Sequence, residues 1–312
     1  MDTRRLGRSG LEISRIGFGA WAAGGSHWHH GWSGQDDGDS IAAIERALAA
    51  GINWIDTAAA YGWGHSERVV ARALRDVRQP PMLFTKCGAL RSSDGGVEFN
   101  LAQESLRREL EASLERLEVD AVDLYQIHRP LPDLDIERGW ETLASFKAEG
   151  LVRHIGVSNF TVDQIQRIAG IAPVETLQPP YSLMQREAGA DLLPYAQTAD
   201  VGVIIYSPMG SGLLTGTMTQ ARFDSLPVTD WRRNDARFAP EKLERGFELV
   251  ERLRQVGDRY GASPGEVALA WALRNQAVDG AIVGFRTPEQ VDGVLHGATL
   301  ELGADEAEFL AA

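Results

Sequence analysis

The sequence predicts an α/β fold, a (β/α)8 TIM barrel with an N-terminal β-hairpin and long loops after its strands. Three observations predict it: strand-like and helix-like segments alternate along the chain, there are eight strand-like segments, and no complete glycine-rich dinucleotide turn follows the first. Barrels of this kind run to about 250 residues or more as one domain. We therefore expect a single domain over residues 1–312.

The eight strand segments are short, apolar and rich in Val, Ile or Leu. They are predicted at residues 16–19, 53–56, 82–86, 122–128, 154–156, 175–178, 202–206 and 281–283. Because strands that alternate with helices run parallel with right-handed crossovers, eight such units predict a closed barrel. Functional groups are then expected where the strands end at their carboxyl termini.

The first helical segment illustrates the pattern between the strands. Ile41, Ile44 and Leu48 recur with the 3.6-residue period of a helix, and Asp39 or Ser40 is expected to cap it. The leucines of the third helical segment repeat in the same way, at Leu106, Leu110, Leu114 and Leu117.

Three further segments are predicted outside this alternation. Residues 4–6 and 11–14 flank a glycine-containing turn and predict a β-hairpin that plugs the bottom of the barrel. Residues 20–38 and 208–240 read as long loops, and loops of that length in a compact domain are usually lids or binding loops.

An open doubly wound sheet is the alternative fold. It would normally show a Gly-x-Gly-x-x-Gly turn after the first strand. Here Gly17-Phe18-Gly19 is followed by Ala20-Trp21-Ala22, so the third glycine is missing, and a long loop replaces the tight turn. The barrel is therefore favoured.

Composition and charge narrow the partners. With 31 Lys+Arg and 44 Asp+Glu the net charge is −13, which argues against a nucleic-acid partner. No apolar run reaches the roughly 18 residues of a membrane span, and the first residues lack an apolar signal-peptide core. A single cysteine, Cys87, excludes an internal disulfide. We expect a soluble cytoplasmic protein without a membrane partner.

Four reactive side chains follow three neighbouring strand segments. Asp56 ends the second and Tyr61 lies shortly after it, Lys86 ends the third, and His128 ends the fourth. A phenol has an ordinary pKa of about 10, and a nearby ammonium held by a carboxylate lowers it. The phenol then becomes a general acid or base for a carbonyl or alcohol oxygen.

The imidazole can orient the same oxygen, and a hydride must come from a cofactor because none of the four is a redox centre. Considered singly, Asp56 and His128 have ordinary structural explanations, whereas Lys86 does not. Asp56 would be a solvated turn residue and His128 a packed core residue, whereas an unpaired lysine is rarely buried. Their joint arrival at one rim favours chemistry.

The motifs that surround these residues resemble one family over the whole chain. They comprise residues 53–62 (Asn-Trp-Ile-Asp-Thr-Ala-Ala-Ala-Tyr-Gly), 64–67 (Gly-His-Ser-Glu), 85–86 (Thr-Lys), 123–128 (Asp-Leu-Tyr-Gln-Ile-His), 156–160 (Gly-Val-Ser-Asn-Phe) and 177–178 (Leu-Gln). The chain is similar to aldo-keto reductases. The resemblance implies a (β/α)8 barrel and matches Asp56, Tyr61, Lys86 and His128 to the family's catalytic tetrad.

The resemblance also implies a nicotinamide dinucleotide across the top of the barrel. It assigns Ser158, Asn159 and Gln178 to the carboxamide, Tyr206 to a stacking platform under the nicotinamide, and Arg286, with Gln290 near it, to the adenosine 2′-phosphate. The remaining expected cofactor contacts are Gly19, Trp21, Ser207, Pro208, Met209, Gly210, Ser211, Gly212, Leu213, Gly284 and Phe285. The Arg286 assignment predicts NADP(H) in preference to NAD(H).

Substrate contacts are expected from the long loops. Trp21 is the first candidate for the pocket wall, and the others are Trp28, Trp32, Trp63 and Arg129, the last for an anionic or polyhydroxylated substrate. The histidine-rich segment 27–30 lacks a companion Cys, Asp or Glu at ligand spacing, so no metal is expected. Cys87 is read as a small buried residue, although its neighbour Lys86 would lower the pKa of an exposed thiol.

The sequence as a whole predicts an NADP(H)-dependent oxidoreductase that interconverts an aldehyde or ketone and the corresponding alcohol, with Tyr61 as general acid/base. The substrate would be a small carbonyl, alcohol or sugar. Two alternatives stay open: an NAD(P)+-dependent sugar or alcohol dehydrogenase, and a catalytically slow subunit that senses cofactor by binding it.

Overall fold

Eight parallel strands close into a barrel at the centre of the molecule. The computed structural model describes residues 1–26, 28, 30–228 and 230–312. The barrel strands, in order around the barrel, are β3 (Ile16–Gly19), β4 (Trp54–Asp56), β5 (Met82–Cys87), β8 (Val122–Ile127), β9 (Val152–Ser158), β10 (Thr176–Gln178), β11 (Gly202–Tyr206) and β12 (Gly280–Gly284). Strand β12 pairs with β3 and closes the ring. The predicted barrel is confirmed, and the open sheet is excluded.

Helices lie between consecutive barrel strands and after the last one, and they surround the barrel. They are α1 (Asp37–Ala49), α2 (His65–Leu74), α3 (Gln103–Leu117), α4 (Ile136–Ala148), α5 (Val162–Ala169), α6 (Leu192–Thr198), α7 (Gln220–Asp224), α8 (Pro240–Gly257), α9 (Pro264–Leu273), α10 (Pro288–Asp292) and α11 (Ala304–Ala311). The apolar faces of α1, α3 and α4 pack on the outer faces of the strands, as the 3.6-residue period predicts, whereas α8 and α11 pack in a separate apolar cluster with α9.

The N-terminal hairpin closes the bottom of the barrel. Its strands β1 (Thr3–Arg5) and β2 (Glu12–Ser14) are antiparallel, and Leu6 and Ile13 are buried with the inward side chains of β4, β5, β8, β11 and β12. Trp54 fills much of this interior, and a Cβ at Gly17 would lie 2.2 Å from its indole ring. Glycine at position 17 therefore allows the tryptophan to fit.

Some element boundaries differ from the expectations. Strand β9 is four residues longer than predicted, and Asp36 caps α1 instead of Asp39 or Ser40, accepting hydrogen bonds from the amides of Gly38 and Asp39. A second hairpin was missed, with strands β6 (Ala89–Arg91) and β7 (Val97–Phe99). Its Asp94-Gly95 pair is a hairpin signal that the sequence offers.

The second long segment, residues 208–240, is not an irregular loop. It contains α7 and three short 3₁₀ turns, at Gly210–Thr215, Trp231–Asn234 and Ala236–Phe238. It is held by its own apolar cluster, which includes Leu213, Trp231 and Phe238. Within the described ranges, no helix is both long and apolar enough to cross a membrane.

Candidate active site

The four predicted tetrad residues meet at the upper rim of the barrel. Lys86, 1% exposed, donates hydrogen bonds to Asp56 Oδ1 (2.5 Å), to the Thr57 carbonyl oxygen (2.9 Å) and to the Tyr61 hydroxyl oxygen (3.4 Å). The rings of Tyr61 and His128 lie edge to face with centroids 5.8 Å apart. Phenol, ammonium, carboxylate and imidazole thus form one contiguous group.

The pKa values of two tetrad residues follow from burial and from neighbouring charges, and that of Tyr61 differs from the expectation. Burial lowers the pKa of Lys86, but Asp56 and Tyr61 raise it by more, so the ammonium stays charged. Burial raises the pKa of the Tyr61 phenol, and Lys86 opposes this without reversing it. The expectation that Lys86 brings the pKa of Tyr61 below its ordinary value is therefore wrong for this structure, because removal from water outweighs the ammonium. The phenol is protonated at neutral pH.

His128 is a neutral imidazole. Burial holds its pKa well below the ordinary value, and the charges of Lys86 and Arg129 act in the same direction. Its Nδ1 is buried without a hydrogen-bond partner among the described residues. A neutral ring can donate or accept one hydrogen bond at the pocket, as the orienting role requires.

Asp56 is held by two side chains. Its Oδ1 accepts from Lys86, and its Oδ2 accepts from the amide nitrogen of Gln178 at 2.9 Å. Burial raises the pKa of Asp56, and these two partners act in the opposite direction. Gln178 therefore links the tetrad to the predicted carboxamide site.

The predicted carboxamide residues form a hydrogen-bonded row at the ends of three strands. The Asn159 amide donates to Ser158 Oγ and to the His128 carbonyl oxygen, each at 3.0 Å, and its oxygen accepts from the Tyr206 hydroxyl at 2.8 Å. Ser158 Oγ donates to the Gln178 carbonyl oxygen at 2.9 Å. Amide and hydroxyl groups of this kind both donate and accept, as a carboxamide partner must.

The segment after Tyr206 has an unusual backbone. Ser207, Gly210, Ser211 and Gly212 all have positive φ, and such left-handed conformations turn successive amides toward a common side. Pro208 and Met209 complete the turn. Leu213 is buried among the side chains of the same segment, so only its backbone can face a ligand.

Three more predicted cofactor contacts can offer only their backbone to a ligand. Phe285 is buried, with its ring centroid 5.5 Å from that of Phe18, which places its side chain in the core. Gly19 and Gly284 are paired across β3 and β12 at the rim. Because the apolar Phe285 ring packs in the core, the predicted cofactor contact of this residue would be made by its backbone.

Arg286 is half-buried between the two long segments. Its Nε donates to the Gln35 side-chain oxygen at 2.8 Å and an Nη to the Ser33 carbonyl oxygen at 3.0 Å. The Gln290 side chain accepts from the Arg286 amide at 2.8 Å, so it shapes this turn. Burial lowers the pKa of Arg286, and Arg232 acts in the same direction. In the described part of the chain no carboxylate forms an ion pair with Arg286.

Tryptophans from both long segments cover the rim. The Trp21 ring lies 6.5 Å from Tyr61 and 5.0 Å from Trp231, and Trp28 lies 6.0 Å from Tyr61. Trp63 contacts Trp28 at 6.2 Å. Trp21 and Trp28 therefore line the space beside the phenol, as expected of a pocket wall.

Trp32 lies between Trp21 and two arginines, and its ring centroid is 5.8 Å from that of Trp21. The guanidinium of Arg232 lies 4.6 Å from the Trp32 ring centroid and that of Arg286 lies 5.9 Å away. Trp32 therefore contacts both Trp21, which lies beside Tyr61, and the arginines on the expected phosphate side. Arg129 is exposed, and the described structure gives its guanidinium no ion pair.

Sequence reasoning missed the side chains that the second long segment brings to the rim. Asp230 pairs with Arg232 and Asp235 with Arg237, in each case by two hydrogen bonds to a guanidinium two residues later. The repeated Asp-x-Arg spacing is a signal that was available, since an aspartate that caps a short turn can hold the following arginine. The Arg237 guanidinium lies 4.9 Å from the centroid of the Trp231 ring.

Two further predictions concern metal binding and Cys87. His27 and His29 lie outside the described residues, and the described residues contain no group of three metal-binding side chains. Cys87 is buried, and burial raises the pKa of its thiol well above the ordinary value. The role of a small buried residue fits this environment, whereas a reactive thiolate does not.

Comparison with known proteins indicates the same family as the geometry of the site. The Aldo/keto reductase family profile matches residues 15–311. The chain is 36% identical to the aldo-keto reductase YhdN of Bacillus subtilis (strain 168), over 94% of this chain and 88% of that protein. It is 33% identical to an NADH-specific methylglyoxal reductase of Escherichia coli (strain K12), over 98% and 96%.

A solved structure gives the same relationship in three dimensions. The glycerol dehydrogenase AKR11B4 from Gluconobacter oxydans superimposes with a TM-score of 0.89 at 34% identity, covering 99% of this chain and 94% of that one. The likeness extends over the barrel and both long segments because nearly the whole of each chain is covered.

Proposed function

The chain belongs to the aldo/keto reductase family and is an oxidoreductase of carbonyl and alcohol groups; from this premise we propose that it is NADP(H)-dependent and interconverts an aldehyde or ketone with the corresponding alcohol. The observation that carries the proposal is the Tyr61 hydroxyl, 3.4 Å from a Lys86 ammonium that buried Asp56 holds in place. We further propose that residues 1–312 act as one cytoplasmic domain on a small carbonyl, alcohol or sugar.

The described residues fit a nicotinamide dinucleotide. Ser158, Asn159 and Gln178 would hold its carboxamide, and Tyr206 would contact its ring. When bound, the nicotinamide supplies or accepts the hydride that no side chain of the tetrad can provide. The left-handed turn at 207–212 and the half-buried Arg286 guanidinium suit phosphate groups.

In the reducing direction Tyr61 gives its proton to the carbonyl oxygen. The raised pKa of Tyr61 keeps the phenol protonated at neutral pH, which is the form a general acid needs. Lys86 stabilises the phenolate that remains, and Asp56 keeps Lys86 in place. His128, as a neutral imidazole, orients the oxygen between Tyr61 and itself.

Arg286 supports NADP(H) over NAD(H). A half-buried guanidinium without an ion pair gains from an anionic partner, and a 2′-phosphate can accept two of its hydrogen bonds. One relative is named an NADH-specific methylglyoxal reductase, so similarity over the whole chain does not by itself decide the cofactor. The preference depends on the neighbourhood of Arg286.

The oxidising direction is a second candidate function. One solved structure that resembles this chain is named a glycerol dehydrogenase. Alcohol oxidation requires Tyr61 as phenolate, and burial disfavours that form. We therefore expect reduction to dominate at neutral pH and oxidation to increase at alkaline pH.

The first test is a titration of the purified protein with NADPH and NADH, followed by tryptophan fluorescence. The chain has eight tryptophans, and Trp21 and Trp28 beside Tyr61 should report binding by quenching. We expect saturable NADPH binding that is tighter than NADH binding. Equal affinities would contradict the cofactor assignment.

The second test is Tyr61→Phe, assayed on a panel of aldehydes, ketones and sugars. General acid catalysis contributes roughly 10²- to 10⁴-fold, so turnover should fall by about that factor while NADPH affinity stays the same. Wild-type turnover in this variant would contradict the mechanism. Tight NADPH binding with slow wild-type turnover on every substrate would instead support a cofactor-sensing subunit.

A further inference from the structure

A second group of buried polar side chains lies behind the tetrad, between α2, α3 and β5. Glu67 is fully buried: its Oε1 accepts from Thr85 Oγ1 at 2.8 Å, and its Oε2 accepts from Arg116 Nε at 2.6 Å. Thr85 directly precedes Lys86, and successive side chains of a strand point to opposite faces. Glu67 therefore holds the outer face of the strand that presents Lys86 to the barrel.

Arg116 fastens the turn that carries Tyr61. A Cβ at Gly64 would lie 2.5 Å from Arg116 Cδ and Nε, so the arginine packs directly on the backbone of this turn. Gly64 has φ +87°, a left-handed conformation that suits glycine. The same guanidinium compensates the buried charge of Glu67, so carboxylate and turn are held together.

The residue before Glu67 adds another connection. Ser66 Oγ lies 2.8 Å from Thr57 Oγ1 and donates to the Ala20 carbonyl oxygen at 2.7 Å. The carbonyl of Thr57 in turn accepts from Lys86 Nζ. The segment that bears Tyr61 is thus attached at both ends to the strands that bear Asp56 and Lys86.

We propose that Glu67 is a positioning residue: by joining Thr85 to the helix that follows Tyr61, its carboxylate sets the separation between Lys86 Nζ and the Tyr61 hydroxyl. That separation is 3.4 Å, at the long end of hydrogen-bond distances, so an increase of a few tenths of an ångström would remove the contact. The inference rests on the proposed function, in which Tyr61 transfers the proton.

Loss of this contact has a defined consequence. The charged groups that act on the pKa of Tyr61 are Lys86, Asp56 and Arg129, and the His128 ring contacts the Tyr61 ring. Lys86 is the one that a shift of β5 against α2 would move. The phenolate would lose its nearest cation, so alcohol oxidation would need higher pH, and the proton transfer of reduction would slow.

The test uses Thr85→Val and Glu67→Gln in the full-length protein. Thr85→Val keeps the side-chain shape and removes the bond from β5 to Glu67. We expect kcat to fall about tenfold, since small misplacements of reacting groups cost up to about 10²-fold. We also expect the pH at which oxidative kcat is half-maximal to rise, with NADPH affinity unchanged. Thr85→Ser restores the hydroxyl and should restore both values.

Glu175→Gln is a matched control. Glu175 is also a buried carboxylate, bonded to Lys147 Nζ at 2.8 Å and to the Ile155 amide at 2.9 Å, but it lies at the opposite end of the barrel strands. The Glu175→Gln variant should have a lower free energy of unfolding than the wild type and an unchanged pH profile of oxidative kcat. Folded Thr85→Val and Glu67→Gln proteins with wild-type kcat and pH profile would overturn the inference.

An equal effect of Glu175→Gln on kcat and the pH profile would also overturn it, because general destabilisation would then explain the data. The proposed function fails separately, through undiminished turnover in Tyr61→Phe. A protein in which Tyr61→Phe is inactive and Thr85→Val is unaffected keeps the function and loses only the role of Glu67.

Discussion

Glu109 is a buried carboxyl group whose ionisation should make stability depend on pH. It lies on α3 and is 7% exposed; Oε2 accepts from the Gly88 amide at 3.0 Å, while Oε1 is buried with no partner in the described structure. Burial raises the pKa of Glu109 from 4.5 to about 7, against the opposing effect of the Gly88 and Ala89 amides. The ionised form is therefore disfavoured by folding.

The sign and size of this pH dependence follow from the difference between the pKa values of Glu109 in the folded and unfolded states. A carboxyl whose pKa is higher in the folded than in the unfolded state contributes stability that is fully present below pH 4.5 and is lost as pH rises through 7. The full contribution is roughly 3 kcal/mol, at about 1.4 kcal/mol per pKa unit. Between pH 6 and pH 8 the loss is about 1 kcal/mol.

Glu109→Gln isolates this contribution, because glutamine has the same shape, keeps an oxygen for the Gly88 amide and does not ionise. The assay is urea unfolding of both proteins at pH 6 and pH 8, followed by circular dichroism. From pH 6 to pH 8 the wild type should lose about 1 kcal/mol of unfolding free energy relative to the variant. A constant difference between the proteins would refute the reasoning.

Three further variants test the rim. Arg286→Ala should weaken NADPH binding about 10- to 100-fold, since hydrogen bonds to charged groups contribute about 1.5–3 kcal/mol, and leave NADH binding nearly unchanged in the fluorescence titration; equal effects would contradict the 2′-phosphate assignment. Lys86→Met removes the cation that counteracts the effect of burial on the pKa of Tyr61, so oxidative kcat should reach its maximum at a higher pH. An unchanged pH profile would be incompatible with the proposed role of Lys86. Arg129→Ala should raise KM about tenfold for an aldehyde bearing a carboxylate but not for a neutral one of equal length; equal changes would exclude a charge contact.

The barrel and the tetrad could be predicted because their signals are local. The strand segments 16–19 and 202–206 match β3 and β11 residue for residue. Asp56 and Lys86 lie in β4 and β5, and parallel strands bring such ends to one rim whatever the surrounding loops do. Alternation and strand-end chemistry therefore sufficed for the fold and for the proximity of these groups.

The remaining features depend on contacts between distant segments. The contact of Trp21 with Trp231 joins residues more than 200 positions apart, and no periodic pattern encodes it. The pKa of Tyr61 was misjudged for a related reason, because proximity to Lys86 can be read from strand order but the extent of burial cannot. The packing of the Phe285 ring on Phe18 likewise joins segments that are far apart in the sequence.

In the proposed function, chemistry and cofactor choice reside in different parts of this molecule. The tetrad is fixed by β4, β5 and β8, by the buried Asp56–Lys86 pair and by the segment that bears Tyr61. Arg286, in contrast, is bonded to Gln35 and Ser33 of the first long segment, so changes there can alter phosphate recognition without moving Tyr61. One barrel can thus carry the same hydride chemistry with different cofactors, which accords with an NADH-specific relative at 33% identity. The loops around Arg286, and not the tetrad, are where cofactor preference is expected to diverge within the family.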